Sequence, residues 1–443
     1  MRCEKKLLGC VEYTLELLVG KDFRRRHPGV KILYQDAEEN ISDDAVLYIV
    51  PSGFFGEEYG TPASLPVLPL KQIDGVPLLF GSPKVERKGN QLVVHADIIA
   101  STFFLVTRYE EVVRGDVRDG HGRFPGKESL PCRAGFIDRP IVEDYAVLLR
   151  KWLRAVGVDI GEPGRNFSVV LTHDVDHPNK YRRISQPLRQ VAKAFLGREP
   201  FSNVIESIVV PLGLKEDPYN TFEELAGLAE SFDEQAGSPE RESIYFFMAG
   251  GRGKYRSRYN IRANYIKHII TQVIESGATV GLHTSYNAGL HPELIEKEKL
   301  ALEEVCGFGI RHNRHHYLAW REVEDGWALA RAGINWDSTL GYADVAGFRL
   351  GVCRPIELFD PIRMEPFGLE EHPLIVMEAT LDSPCYMNLD EDEAFEYCRR
   401  LISQTRKHNG EFVMLWHNDR LARGSDNYHP RLYRRVLEEL SVA

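Results

Sequence analysis

The sequence lacks the patterns that mark disulfide-rich, zinc-knuckle and membrane proteins. Its seven cysteines are odd in number and scattered without C-x-x-C spacing. Such a set argues against a disulfide framework and predicts reduced thiols. No stretch approaches the roughly 18 consecutive apolar residues that a membrane helix needs. We therefore expect a protein without disulfides and without a membrane span.

The sequence also lacks an excess of basic residues. It has 65 acidic and 55 basic residues, for a net charge of −10, which argues against a nucleic-acid partner. Residues 1–20 carry charges throughout and show no apolar core of a signal peptide. The sequence thus predicts a globular cytoplasmic protein, and it leaves the oligomeric state open.

The length of 443 residues favours two domains. Residues 157–166 are rich in glycine and proline and form the best candidate linker. We predict a smaller α/β domain over residues 1–160, with no role indicated by its sequence. Apolar spacing there predicts helices over residues 5–18, 96–113 and 142–156 and strands over residues 30–34, 45–50 and 91–95.

From residue 167 onward, predicted strands and helices alternate, which favours parallel strands joined by crossover helices. The count of about seven units predicts a deformed (β/α)7–8 barrel over residues 167–443. The expected fold class is therefore α/β, with a deformed barrel preceded by a smaller α/β domain. The predicted strands are residues 167–173, 242–249 and 278–283, a strand within residues 312–320, and residues 335–340, 374–381 and 411–416.

The first predicted barrel strand ends in chemically active side chains. The run Val169-Val-Leu171 leads into a cluster that contains Asp174 and Asp176. Because these two residues are two apart on an extended backbone, their side chains point the same way. One carboxylate can then hold a metal ion while the other remains a free base. The carboxyl ends of the strands form the active face of an α/β barrel.

Polar clusters follow four further predicted strands. A lone histidine or an isolated D-x-D is usually structural, but five clusters at strand ends predict one shared site. Carboxylates and imidazoles at that face favour a metal-assisted hydrolase. The four further clusters are residues 281–287, Arg314–Tyr317, Asp337–Thr339 and Trp416–Asn418.

Residues 167–443 resemble the polysaccharide deacetylase superfamily, carbohydrate esterase family four. The resemblance extends to a bacterial branch in which an uncharacterised α/β domain precedes the barrel. Residues 103–111 and His121-Gly-Arg-Phe124 are similar to that preceding domain. The barrel motifs that carry the resemblance, in order and spacing, are Thr172-His-Asp-Val-Asp176, Gly281-Leu-His-Thr-Ser-Tyr286, Arg314-His-His-Tyr317, Arg349…Cys353-Arg-Pro355 and Leu415-Trp-His417.

The resemblance implies a role for each motif residue. Asp176 and His283 correspond to ligands of a divalent metal, with zinc expected first and cobalt or nickel as alternatives. Asp174 corresponds to the general base, and Arg314 to the arginine that pairs with the base and keeps it ionised. His417 corresponds to the acid that protonates the departing amine.

One position departs from the family pattern. The family usually has a second histidine four residues after the first, and here that position is Asn287. A neutral amide oxygen is a poor zinc ligand beside imidazole. Three histidines could replace it: His316, His291 and His173. We favour His316 because a strand-end position in the same cavity needs no loop rearrangement, and we retain Asn287 as the alternate ligand.

Four residues are candidates for substrate binding. The resemblance implies that Tyr317 is the motif tyrosine that lines the pocket, and Tyr286 stands in the motif of the first histidine. Arg354 could bind a substrate carboxylate or phosphate, or form a structural salt bridge. Trp416 could stack on a sugar, or pack in the core.

Three functions are consistent with these residues. The first is a metal-dependent N-deacetylase of an N-acetylated amino sugar or glycan precursor, with a carbohydrate or small amide as substrate. The second is a catalytically inactive carbohydrate-binding protein with the same barrel. The third is a D-x-D glycosyltransferase, which would leave His283, Arg314 and His417 without a role.

Overall fold

A computed structural model gives the structure of residues 2–35, 45–181, 202–235, 237–251, 257–422 and 427–442, together with residues 191, 196 and 255. The strands are β1 (Lys31–Tyr34), β2 (Ala45–Ile49), β3 (Lys71–Ile73), β4 (Val76–Leu78), β5 (Gly81–Lys88), β6 (Gln91–Ala96), β7 (Ser168–Val175), β8 (Glu240–Phe247), β9 (Thr279–Thr284), β10 (His312–His315), β11 (Trp336–Asp337), β12 (Ile356–Asp360), β13 (Glu365–Glu371), β14 (Leu374–Met377) and β15 (Glu411–Leu415).

These strands form three sheets, of nine, four and two strands, and the two-stranded sheet consists of β3 and β4. The helices are α1 (Arg2–Val19), α2 (Phe23–Arg26), α3 (Ile98–Val106), α4 (Tyr109–Val113), α5 (Leu130–Arg133), α6 (Ile141–Ala155), α7 (Ser202–Val209), α8 (Phe222–Asp233), α9 (Asn264–Glu275), α10 (Tyr286–Leu290), α11 (Ile295–Cys306), α12 (Glu324–Arg331), α13 (Glu378–Asp382), α14 (Glu391–Lys407) and α15 (His429–Ser441). Within the described ranges, no helix combines the length and the apolarity that crossing a membrane requires.

The N-terminal part contains a four-stranded sheet in the order β1-β2-β6-β5. β5 is antiparallel to β6 and the other pairs are parallel. The single helix expected over residues 96–113 is instead two helices, α3 and α4. The break lies at Arg108, whose φ of 53° is left-handed. Its guanidinium forms a buried ion pair with Glu322 at 2.9 Å, so a tertiary contact accompanies the break.

The C-terminal part contains a curled nine-stranded sheet in the order β12-β13-β11-β10-β9-β8-β7-β15-β14, consistent with a deformed barrel. All neighbours pair in parallel except β12 with β13, which are antiparallel. Only residues 372–373 separate β13 from β14, so no helix intervenes there. The regular alternation expected from the sequence is therefore interrupted near the end of the sheet.

Side chains inside the curl form their own apolar cluster. Val170 of β7, Phe246 of β8, Trp336 of β11 and Leu415 of β15 belong to it. The larger hydrophobic cluster lies outside the curl and includes residues of the N-terminal helices as well as of β12 and β13. Since one cluster includes residues from both parts of the chain, the two parts share a core.

Candidate metal and catalytic site

The pleat of β7 decides which side chains reach the site. Val170 belongs to the cluster inside the curl, whereas Val169 and Leu171 belong to the cluster outside it. Side chains two residues apart share a face, so Asp174 lies on the inner face with Val170. Both Asp174 and Asp176 line one cavity, as their spacing predicted.

In the part of the chain that the structure describes, one group of side chains can hold a metal ion: Asp176, His283 and His316. One ligand atom from each lies within 4.8 Å of the others. His283 Nε2 is 3.5 Å from Asp176 Oδ1, and His316 Nε2 is 3.5 Å from Asp176 Oδ2. A carboxylate with two imidazoles is a donor set that suits zinc and related divalent metals.

The protonation pattern of His283 suits a metal ligand. Its Nδ1 lies 2.9 Å from the carbonyl oxygen of Arg314. A carbonyl only accepts, so Nδ1 carries a hydrogen and Nε2 is the ring nitrogen left to bind a metal. Among the described residues, His283 Nε2 and Asp176 Oδ1 are buried without a hydrogen-bond partner. These orphaned atoms face each other, so the residues present fit a cation.

The electrostatics of Asp176 agree with this fit. Burial alone would raise the pKa of its carboxyl, but His316 and His283 outweigh burial and hold that pKa well below its ordinary value. Asp176 therefore remains a carboxylate, which is the form that binds a metal.

Asp174 lies beside this group and is paired with Arg314. Arg314 Nη1 is 3.2 Å from Asp174 Oδ1, and Asp174 Oδ2 is 3.6 Å from His283 Nε2. Both side chains of the ion pair are almost completely buried. The ion pair thus fixes the Asp174 carboxylate in the cavity, beside the candidate metal ligands.

Other strands fix the guanidinium of Arg314. Its Nε and Nη2 donate to the backbone and side-chain oxygens of Ser338, each at 2.7 Å, and Nη1 donates to Thr172 Oγ1 at 2.5 Å. The ring of Phe246 lies 4.8 Å below it. The polar cluster after the fifth predicted strand thus contributes Ser338 as a support for Arg314.

His417 reaches the cavity from the end of β15. Its Nδ1 donates to Glu378 Oε1 at 2.7 Å, and its Nε2 lies 3.9 Å from Asp176 Oδ2. Burial lowers the pKa of His417, but Glu378, with smaller contributions from Asp176 and Asp174, outweighs burial and raises that pKa to about 10.

Sequence reasoning missed Glu378. It is fully buried and directly follows β14, whose residues Leu374-Ile-Val-Met377 form an apolar run. The same rule that identified the other clusters, a polar residue at the carboxyl end of an apolar strand, could have found it.

The acidic and histidine side chains of the site line a cavity of about 260 Å³: Asp174, Asp176, His283, His316, Glu378 and His417. Tyr317 lines it and is partly exposed, with 37% of its surface accessible. The ring of Tyr286 lies 5.7 Å from the ring of Tyr317. Arg123, from the N-terminal part, also lines the cavity. The sequence placed it in the His121-Gly-Arg-Phe124 motif but indicated no role for it in the site.

Two predicted substrate-binding residues lie elsewhere, which corrects those predictions. Trp416 is completely buried and packs against His429 and Tyr433 of α15. It precedes His417 on an extended segment, so the pleat turns its side chain outward. Arg354 Nη2 donates to the carbonyl oxygen of Leu17 at 2.7 Å. Arg354 Nε lies 2.9 Å from a carboxylate oxygen of Glu143, so Arg354 forms a structural salt bridge.

The other residues considered as third ligand do not face Asp176 and His283. Asn287 lines a different cavity, together with His291. His173 Nδ1 donates to the carbonyl oxygen of Trp416 at 2.8 Å, outside the curl. Of the positions considered from the sequence, His316 is the one that the structure brings to Asp176 and His283.

Comparisons with known proteins give the following similarities. Residues 6–157 match the model of a family described as Family of unknown function (DUF7033). No curated protein matches the sequence. Similar solved structures include polysaccharide deacetylases. A putative polysaccharide deacetylase from Mycobacterium smegmatis is 18% identical, with a TM-score of 0.40, covering 63% of this chain and 85% of that chain.

Two further structures are similar at lower identity. A polysaccharide deacetylase from Bacillus cereus is 12% identical, with a TM-score of 0.31, covering 62% of this chain and 87% of that chain. A family 4 carbohydrate esterase from Streptomyces lividans, in complex with acetate, is 11% identical, with a TM-score of 0.30, covering 63% of this chain and 90% of that chain.

Proposed function

We propose that this protein is a metal-dependent hydrolase that removes the acetyl group from an N-acetylated amino sugar or a glycan precursor. One observation carries the proposal: Asp176, His283 and His316 converge in a cavity that Asp174 and His417 also line. Metal-assisted amide hydrolysis uses a bound cation, a base and an acid within reach of one bond, and this cavity brings together candidate metal ligands, a candidate base and a candidate acid.

Asp176, His283 and His316 would hold the metal. A divalent cation at this place would supply a Lewis acid for the amide carbonyl and lower the pKa of water. Zinc is the first candidate, with cobalt and nickel as alternatives.

The remaining residues would move protons. Asp174, paired with Arg314, accepts a proton from the attacking water. His417 donates the Nε2 proton to the amine nitrogen as the C–N bond breaks, while Glu378 holds the other side of its ring. The reaction consumes one amide and one water, and its products are acetate and a free amine.

A metal-binding experiment tests the ligand assignment. The full chain is loaded with zinc or cobalt, and bound metal is measured after desalting. We expect about one ion per chain in the wild type, with metal lost in Asp176→Ala, His283→Ala and His316→Ala. His291→Ala is the matched control, because His291 is an exposed histidine that the sequence left as an alternative ligand. Metal loss in His291→Ala but not in His316→Ala would refute the assignment.

A turnover experiment tests the reaction. Acetate release is measured on N-acetylglucosamine oligomers. We expect Asp174→Asn to retain metal and to lose at least about 100-fold in turnover, because general-base catalysis contributes that much or more. Sugar binding by the wild type without acetate release would instead favour the non-catalytic carbohydrate-binding protein.

A further inference from the structure

A segment of the N-terminal part, Asp119–Lys127, packs against residues of the C-terminal part close to the candidate site. The backbone N–H groups of Gly126 and Lys127 donate to the carboxylate of Asp344 at 2.7 and 3.1 Å. At Gly126 an added Cβ would lie only 2.4 Å from a methyl carbon of Val345. The segment is therefore docked in contact with the C-terminal part, and only glycine permits this approach.

Arg123 of this segment reaches into the cavity that holds the candidate site. Only 8% of its surface is exposed. Its Nε donates to Asp119 Oδ2 at 2.8 Å, so the charge is neutralised within the segment. Its Nη1 donates to the carbonyl oxygen of Tyr317 at 2.9 Å, and its Nη2 donates to the hydroxyl of Tyr386 at 3.2 Å. One guanidinium thus links the chain after β10 to the loop after α13.

The backbone that Arg123 contacts is in an unfavourable conformation. Tyr317 has φ 63° and Leu318 has φ 52°, both left-handed. Such residues persist where the surrounding structure holds them. Besides the hydrogen bond from Arg123, the ring of His121 stacks on the ring of Tyr317 at 4.6 Å. Both contacts come from the same N-terminal segment, and Tyr317 directly follows His316.

We propose that Arg123 is a positioning residue that fixes the Tyr317 turn and thereby holds His316 in place beside Asp176 and His283. The inference rests on the proposed function for the role of the metal. It adds that the N-terminal segment completes the site from outside the nine-stranded sheet. A lysine at this position would keep the charge but lose the planar fork that bonds several partners at once.

The test uses the full chain with three variants. Arg123→Ala removes the contacts, Arg123→Lys is the conservative replacement, and Lys127→Ala is the matched control. Lys127 lies in the same segment and donates to the carbonyl oxygen of Tyr386 at 3.1 Å, but it does not line the cavity. Cobalt affinity and the visible absorption of bound cobalt are measured, together with amide hydrogen exchange of a peptide that covers residues 312–320.

We expect Arg123→Ala to bind cobalt at least tenfold more weakly, with an altered absorption spectrum and faster exchange in the 312–320 peptide. For Arg123→Lys we expect a cobalt affinity and an exchange rate between those of Arg123→Ala and the wild type. For Lys127→Ala we expect the wild-type affinity, spectrum and exchange rate. A folded Arg123→Ala with wild-type affinity, spectrum and exchange would overturn the inference.

Two further outcomes are also decisive. If Arg123→Ala does not fold, Tyr386→Phe removes one of the three contacts more gently, and unchanged exchange in both Tyr386→Phe and Arg123→Lys would overturn the inference. If the wild type binds no cobalt, the proposed function fails, and the exchange of the 312–320 peptide then decides the positioning role by itself.

Discussion

The hydrogen bond between His417 and Glu378 fixes which ring nitrogen of His417 faces the cavity. Because the pKa of His417 is raised, both ring nitrogens carry a hydrogen, so Nδ1 donates to Glu378 and Nε2 points toward Asp176. This is the same device that orients His283, whose Nδ1 donates to a carbonyl. In both cases a buried acceptor bonds Nδ1 and leaves Nε2 to face Asp176.

The proposed acid role of His417 predicts a dependence on the leaving group. His417→Ala is expected to slow acetate release from an N-acetyl sugar at least about 100-fold, since an amine leaves only when protonated. Hydrolysis of an activated ester such as nitrophenyl acetate is expected to slow much less, because nitrophenolate leaves without a proton. Glu378→Gln is expected to show the same pattern with a smaller loss. Equal slowing of both substrates in His417→Ala would contradict the role.

At the residue scale, the sequence predicts where a side chain points when the residue lies at a strand end and the alternation of the strand fixes its face. Asp174 and Asp176 share a face because of their spacing, and the structure places both in the cavity. Two roles were left open for Trp416, and the structure shows core packing. The pleat rule applied to His417 would have decided between them, because it turns the neighbouring side chain outward. Arg123 could not be found in this way, because its contacts with Tyr317 and Tyr386 span 194 and 263 residues.

The strand β9 contains a glycine that the packing inside the curl requires. An added Cβ at Gly281 would lie 2.5 Å from ring carbons of Phe246 and 3.2 Å from His312 Cβ. The ring of Phe246 in turn lies below the guanidinium of Arg314. Gly281 therefore leaves room for the Phe246 ring, which packs against the guanidinium of Arg314. Arg314 in turn pairs with Asp174, the proposed base.

We predict that Gly281→Ala destabilises the protein by about 1–3 kcal/mol, because overpacking displaces the Phe246 ring. The matched control is Gly227→Ala in the exposed middle of α8, where nothing lies within 4 Å of an added Cβ. That change is expected to stabilise by up to about 1 kcal/mol through helix propensity. Urea unfolding measures both, and a neutral Gly281→Ala would contradict the packing argument.

At the element scale, the sequence indicates strands whose apolar runs are long and misses those with charged residues. The strand predicted over residues 167–173 corresponds to β7, whereas β13 was not predicted. Yet β13 buries Phe367 and Leu369 between exposed residues, an alternation that could have identified it. No local pattern in the sequence marks the break between α3 and α4, because Arg108 at the break contacts Glu322, which lies 214 residues further along the chain.

At the scale of the whole molecule, a buried ion pair joins the N-terminal part to the C-terminal part. Arg349 Nε and Nη2 donate to the two carboxylate oxygens of Glu111 at 2.9 and 2.6 Å. Both residues are only 4% exposed. Removing one partner of such a pair leaves an uncompensated buried charge.

We predict that Glu111→Gln destabilises the whole chain by about 3 kcal/mol or more. The matched control is Asp74→Asn, which removes an exposed ion pair with Lys151 and is expected to cost less than about 1 kcal/mol. Urea unfolding followed by tryptophan fluorescence measures both changes.

Because the two parts share one core cluster, we expect a single unfolding transition of the wild type. Two separate transitions would contradict the shared core.

The sequence locates a linker but does not show what the chain on either side of it contacts. Residues 157–166 have the composition of a linker, and the boundaries 1–160 and 167–443 remain a prediction. The shared core was not predicted, because contacts such as that of Glu111 with Arg349 join residues 238 positions apart. Composition and periodicity report on neighbours in the chain, so they carry no signal for such contacts.

The pleat of β7 also limits how this strand can change in evolution. Removing one residue between Ser168 and His173 would shift the remaining strand by one step and exchange its two faces. His173 would then enter the cavity, while the two aspartates would turn toward the helices. An insertion or deletion of a single residue in this strand would therefore abolish the site even if every side chain of the site were retained.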